Sequence, residues 1–428
     1  MISSRFSTQL LAGTALSLVY SASVLAEADT QMAEANAQIP TITVEGQAVS
    51  DYKIDKSALG KITEPVRDVP QSISIISEQL IEDRGITNLN DVFRSVPGIT
   101  LGAGEFNWQG NNPNIRGFNS RSDMFLDGMR DFGNYYRDPF ILETVEVLQG
   151  PASMVFGRGS TGGVINQSTK QATLAPMITG ALNFGTDSTK RVTADINEPL
   201  SDLGEGGAVR LVAMGHSGAV AGRDGGEQGR YGFAPSLALG LGTPTRIHLS
   251  YFHLSSNDTP DYGLPWFGPQ NVAQVPRNNF YGFKSDYLKT SVDVVTAKVD
   301  HDFSENLKLH TQLRYGHYDR DNRITEPQIA AAVGTPPANV TVNRNVYTGR
   351  GTETFLQAQT DLTAKFNTGS LKHNVVTGLE VGRERSTPFF GFAQGVPGTN
   401  LLTPDKNAIF VSTGTPPSLI ADTTGNGF

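Results

Sequence analysis

The chain has 428 residues, 46 of them glycine and none of them cysteine; apolar residues supply 38% and charged residues 18%. Both shares fall below globular averages of about 45–50% and about 25%, which excludes a coiled coil, a helical membrane bundle and charge-driven disorder and suits turn-rich β structure. The net charge of −8 argues against nucleic acid as a main partner, and the missing cysteine removes disulfides, thiolate metal sites and thiol nucleophiles.

Residues 1–26 read as a secretory signal. Arg5 supplies the positive start, Leu10 to Tyr20 the apolar stretch and Val24-Leu25-Ala26 a small-residue cleavage site, with a later site after Ala37 left open. No stretch reaches the ~18 consecutive apolar residues of a transmembrane helix. Residues 27–49 form a flexible arm, polar from Glu27 to Gln38, with a β-prone island at Thr41, Ile42, Thr43, Val44, Glu45 and Gly46. An extended segment on such an arm can add itself to another protein's sheet edge. About 14 residues separate cleavage site and island, too few for a further folded domain.

Residues 50–172 are expected to form a small α+β domain. Ser72 to Ile76 is strand-like, Ser77 opens a helical pattern through Ile81, and Asn88 can cap a short helix from Leu89 to Arg94 that Pro97-Gly98 ends. Met124 to Met129 reads as a strand and a tight turn, and Thr144 to Leu148 as another strand. Gly157 to Gly163 has the spacing of a nucleotide-binding loop. It lacks the strand before it, the helix after it and the later acidic residue, so it reads as glycine where two chain segments pass closely.

Several of these segments together resemble the plug of TonB-dependent siderophore receptors. They are Pro70 to Ser74, Asp91 to Ile99, Ile115-Arg116-Gly117-Phe118, Asp127 to Arg130, Glu143 to Pro151 and Phe156 to Asn166, in that order over roughly 100 residues. The resemblance makes Thr41 to Gly46 a TonB box. It also implies that Arg116 and Arg158 lock plug to barrel through carboxylates on the barrel wall.

From residue 177 onward apolar and polar residues alternate with period two, for example Val192, Ala194 and Ile196 between Arg191, Thr193 and Asp195. Nine such strands are expected, beginning near residues 178, 190, 208, 232, 245, 290, 307, 351 and 371. A soluble sandwich would alternate in the same way. The connections favour a membrane barrel, because long links (219–231, 258–289, 321–350) alternate with short ones (243–244, 304–306, 367–370). Nine is an odd number and a plugged barrel needs about 22 strands. Residues 177–428 are therefore read as the N-terminal part of a transmembrane β-barrel whose remaining strands are absent.

The seven histidines have no metal-binding spacing and no catalytic carboxylate pair or nucleophile motif stands out, so an enzyme is not expected. Candidate ligand contacts are the aromatic and basic residues of loops: Phe106, Trp108, Arg130, Tyr135, Tyr136 and Arg137 in the plug, and Tyr262, Trp266, Phe267 and Tyr281 in the long link after residue 258. Flat rings beside guanidiniums suit an iron–catecholate chelate, which is aromatic and negatively charged. Packing of the loops explains any one of those rings equally well.

The resemblance implies a receptor in the cell outer membrane, surrounded by its lipid, that imports a ferric siderophore with energy passed on by the TonB complex. Iron would travel only as the chelate, with no cofactor. A haem, vitamin or sugar receptor, a non-transporting remnant and a passive pore or adhesin remain the alternatives.

Overall fold

The computed structural model describes residues 52–102, 110–157, 160–200, 206–267, 271–393 and 396–410. The signal segment, the arm with Thr41 to Glu45, and Phe106, Trp108 and Arg158 lie outside the described residues.

The plug opens with β1 (Ser72–Ser77), α1 (Glu78–Asp83), α2 (Leu89–Phe93) and β2 (Ile99–Leu101). Next come β3 (Pro113–Ile115), β4 (Phe118–Asn119), β5 (Met124–Leu126) and β6 (Met129–Arg130). Finally, β7 (Leu142–Gln149), α3 (Ser153–Phe156) and β8 (Gly163–Thr169) complete it. Both longer helices start at the expected caps. Ser77 Oγ accepts from Leu80 N at 3.3 Å and Asn88 Oδ1 from Asn90 N at 2.9 Å. The main sheet runs β1-β7-β8-β5-β6. Its middle strands are apolar and buried, with Val145, Val147, Val164 and Ile165 inaccessible to solvent.

Backbone geometry explains two conspicuous glycine positions. Between β5 and β6, Asp127 (φ 49°) and Gly128 (φ 77°) are both left-handed, the turn a two-residue hairpin needs to match strand twist. At Gly162 and Gly163 a Cβ would stand 2.4 Å from Ile115 O and 2.2 Å from Leu148 O. The glycine-rich loop is thus a place of close passage, and strand β8 rather than a helix follows it.

The second half begins with β9 (Met177–Phe184), β10 (Lys190–Leu200), β11 (Gly207–Ala219), β12 (Glu227–Leu239) and β13 (Thr245–Asp258). A small hairpin, β14 (Trp266–Phe267) with β15 (Asn271–Val272), sits in the long loop. Then come β16 (Tyr287–Ser304), β17 (Leu307–Ile329), β18 (Thr341–Thr368) and β19 (Leu371–Phe392). The nine long strands pair antiparallel in chain order, and the two-residue β20 (Thr399–Asn400) joins the upper end of β18. One expectation needs correcting. Residues 321–350 are mostly strand, because β17 and β18 stay in register through Asn322↔Gly349 and Arg320↔Gly351 up to Ile329↔Val342. Gly349 and Gly351 weaken the local β signal, but a ladder on both sides carries the strand through them.

Accessibility settles which kind of sheet this is. Outward-facing Leu211 and Leu313 are 44% and 49% exposed, whereas inward-facing Arg314 and Asn197 are 1% exposed. A soluble sandwich would bury the apolar set; this sheet presents it outward, as contact with lipid requires. Among the described residues, terminal strands β9 and β19 pair on one side only. The plug fills the concave face. Leu89, Val92 and Phe93 of α2 share one apolar cluster with Val212 and Met214 of β11, Leu254 of β13, Val292 of β16 and Phe355 of β18.

At the long-loop end, segments far apart in sequence pack into a cap. Tyr281 Oη donates to Leu401 O at 2.7 Å and Lys284 N to Ala408 O at 2.9 Å, while the rings of Phe283 and Phe410 lie 5.3 Å apart.

Candidate functional site

The plug is held by carboxylates and cations aligned across its boundary with the sheet. Asp127, fixed in the β5–β6 turn, meets Lys298 of β16 at 3.0 Å and Arg314 of β17 at 3.4 Å. Arg314 also donates to Leu126 O at 2.7 Å, and Gln312 to Asp127 O at 3.1 Å. Burial alone would raise the Asp127 carboxyl. Lys298, Arg314 and the Thr169 N–H outweigh it and hold this carboxyl below the usual carboxylate range. Asp138 forms a bidentate pair with Arg191 of β10 at 2.7 and 2.8 Å, both side chains buried. Lys170 of the plug reaches Asp195 of β10 at 3.1 Å, and Lys61 reaches Asp361 of β18 at 3.3 Å.

This assigns the docking contacts differently from the expectation. Arg116 is exposed and donates to Gln149 Oε1 at 3.2 Å, within the plug itself. Its left-handed backbone (φ 51°) in the β3–β4 turn points to a turn role. In the described residues the plug brings Asp127 and Asp138 to the boundary as anions, and Lys61, Lys170 and, near Glu353, Arg121 as cations.

Above those pairs the plug's apex approaches the upper strands. Asn134 Nδ2 donates to Glu353 Oε1 of β18 at 2.9 Å. Arg121 of the plug and Arg320 of β17 both feel the charge of Glu353. Asp131 accepts from Tyr135 Oη at 3.0 Å, from Arg137 Nε at 2.6 Å and from Tyr318 Oη of β17 at 3.1 Å.

These distances sort the candidate contacts. Tyr135 and Arg137 are buried against each other, the guanidinium 4.3 Å from the ring centre, and Tyr281 is buried in the loop cap. All three hold structure, because burial leaves them no face for a ligand. Arg130 is half-buried, 4.5 Å from the Phe132 ring centre. Tyr136, Tyr262 and Phe267 are half-buried, and Phe267 packs on the cluster around Tyr281. Trp266 alone of these loop aromatics is strongly exposed, at 51%. Arg121, Arg320 and Glu353 were missed by sequence reasoning. For Arg320 and Glu353, charge inside a strand's alternation looks like any lumen-facing polar residue, and only the register places them beside the apex; Arg121 sits in the turn between β4 and β5, where its charge looks like any surface one.

Residues 65–164 match the TonB-dependent Receptor Plug Domain. Over 369 residues the chain is 39% identical to the probable TonB-dependent siderophore receptor PiuA of Acinetobacter baumannii, covering 84% of this chain and 49% of that protein. Over 390 residues it is 34% identical to the catecholate siderophore receptor Fiu of Escherichia coli, covering 86% of this chain and 50% of that one. The closed form of the ferric-catecholate import receptor Fiu superposes with a TM-score of 0.77 at 34% identity, over 84% of this chain and 53% of that chain. For the crystal structure of PiuA the TM-score is 0.78 at 34% identity, over 84% and 54%. The chain spans about half the length of the curated relatives it matches. By its plug, and by the outward-apolar strands that receive it, the chain belongs to the TonB-dependent receptors, β-barrel proteins of the cell outer membrane.

Proposed function

We propose that the protein binds a ferric siderophore on the loop side of the plug and imports it with energy passed on by the TonB complex through the arm at Thr41 to Glu45. The observation that carries this reading is the likeness, at 34–39% identity across plug and strands, to two receptors named for siderophores. Catecholate chemistry is favoured because one of them is a ferric-catecholate receptor in its solved structure. Near the apex, half-buried Arg121 supplies a guanidinium suited to catecholate oxygens, and Trp266 supplies an exposed ring for stacking. Phe106 and Trp108, chosen from the sequence and outside the described residues, belong to the same proposal. Nothing in this role calls for catalysis; the chemistry is recognition and passage.

The test is a binding panel on cells carrying the protein, using iron complexes of a tricatecholate, a hydroxamate and a citrate-type chelator, with haem as a fourth ligand. Saturable binding of the tricatecholate at submicromolar concentration, at least tenfold tighter than the others, is expected. Preference for haem or another ligand would overturn the assignment.

A further inference from the structure

The outward face of the sheet changes character at one height. Residues paired across neighbouring strands share a face, so the register reads it row by row. The row through Phe233, His253, Asp293, His317 and Thr354 ends on Arg385 of β19. The row below runs through Val295, Tyr315 and Leu356, all exposed, and ends on Arg383. Under Arg383 on the same face come Val381 and Leu379, 58% and 69% exposed. Thr387 and, on β18, Arg350 lie above Arg385.

The carboxylates of this face are already engaged. Asp293 accepts from Tyr251 Oη at 2.5 Å and lies 2.8 Å from His253 Nδ1, while Asp319 accepts from Thr352 Oγ1 at 2.7 Å. Asp321 pairs with Arg350 at 3.0 Å. Arg383 and Arg385 are both exposed, and no carboxylate pairs with either among the described residues. A guanidinium facing lipid is costly at the midplane and nearly free at the headgroup level. Two of them on alternate residues, roughly 7 Å apart and directly above Val381, therefore mark that level and leave a positive charge there unanswered.

We propose that Arg383 and Arg385 together hold the phosphate of a lipid in the leaflet on the long-loop side, with its acyl chain along Val381 and Leu379. The planar fork of each guanidinium matches phosphate oxygens two at a time. The column offers the parts of such a lipid in their order: apolar residues for the chain, a pair of cations for the phosphate, and Thr387 with the charged end of Arg350 for the polar groups beyond. Farther along the same row the face is neutral, with Phe233 on β12 and Ala213 on β11. The site faces away from the plug, so it stands whether or not the receptor imports a siderophore.

Equilibrium binding to the detergent-solubilised receptor tests it, with didecanoyl phosphatidate as the probe and two partial probes, didecanoylglycerol and inorganic phosphate. Phosphatidate should bind at least tenfold tighter than either. Arg383→Gln/Arg385→Gln should weaken it roughly twentyfold, since each basic side chain at an anionic lipid surface contributes about a factor of five. Arg383→Lys/Arg385→Lys, which keeps the charge, should recover most of that loss. Lys190→Gln, which removes an exposed cation of β10 at the far side of the sheet, should change binding less than twofold. Should the double glutamine variant fail to fold, the parent still decides, because its binding should weaken at least tenfold between about 0.05 and about 0.5 M salt. Phosphatidate affinity that ignores the double substitution or the salt would overturn the site. Equal affinity for didecanoylglycerol would reduce it to apolar contact, and equal affinity for inorganic phosphate would reduce it to an adventitious anion site; either result refutes the proposal.

Discussion

Arg191→Ala would strand the Asp138 carboxylate inside the protein. In the intact structure two short bonds, 2.7 and 2.8 Å, join the guanidinium to both carboxylate oxygens, and Asp138 also caps the turn at Pro139 by accepting from Phe140 N at 3.2 Å. The Asp138 side chain has no solvent exposure and that of Arg191 only 8%, so water does not replace the lost partner. Breaking a buried pair from one side costs about 3–5 kcal/mol. At 1.4 kcal/mol per factor of ten, the local opening that frees residues 138–142 should become roughly a hundredfold to several thousandfold more frequent. Hydrogen exchange of those amides in detergent-solubilised receptor reads this directly. The double variant Asp138→Leu/Arg191→Met should recover most of the loss, since no charge is left buried. Exchange in Arg191→Ala within threefold of the parent would refute the argument that this pair docks plug to sheet.

Other perturbations follow from the same geometry. Trp266→Ala should weaken chelate binding by about 1–2 kcal/mol, as loss of an aromatic contact does, whereas Tyr281→Ala should loosen the loop cap and raise proteolysis there; titration and limited proteolysis separate the two. Burial pushes the Asp286 carboxyl up to about 6, against the Thr325 hydroxyl, the Phe283 N–H and the guanidiniums of Arg323 and Arg344. Its folded value lies above its unfolded one, so the cap should be fully stable below about pH 4 and lose on the order of 3 kcal/mol as pH rises to about 6 and beyond. Exchange of the Phe283 to Asp286 amides, corrected for intrinsic rate, should quicken across that window and stay flat in Asp286→Asn. Gly163→Ala, which places a Cβ 2.2 Å from Leu148 O at φ 141°, should destabilise the plug strongly, and an unchanged exchange profile would contradict the close packing of β7 and β8.

Legibility of the sequence followed the range of the interactions. Caps at Ser77 and Asn88, the Asp127-Gly128 turn and the alternation of β10 or β17 are local signals, and each stands where the residues place it. The start of β18 was misread because Gly349 and Gly351 lower strand propensity while the ladder that overrides them comes from residues 320–329. At the candidate site the same limit applies. Tyr135, Arg137 and Tyr281 carry the chemistry of ligand contacts, but Asp131 and Leu401, distant or unremarkable in sequence, claim them for packing. Docking through Asp138 and Arg191 was equally hidden, since nothing local distinguishes those two charges from surface ones.

The central claim is energised import, and labelled-iron binding against accumulation in the same cells measures it most directly. Cells carrying the protein should accumulate the ferric tricatecholate only while the proton gradient stands. Ile42→Pro should abolish accumulation and leave surface binding intact, because proline removes a backbone donor that strand pairing with TonB requires. Accumulation that continues without the gradient, or persists in Ile42→Pro, would contradict the account and leave passive diffusion in its place.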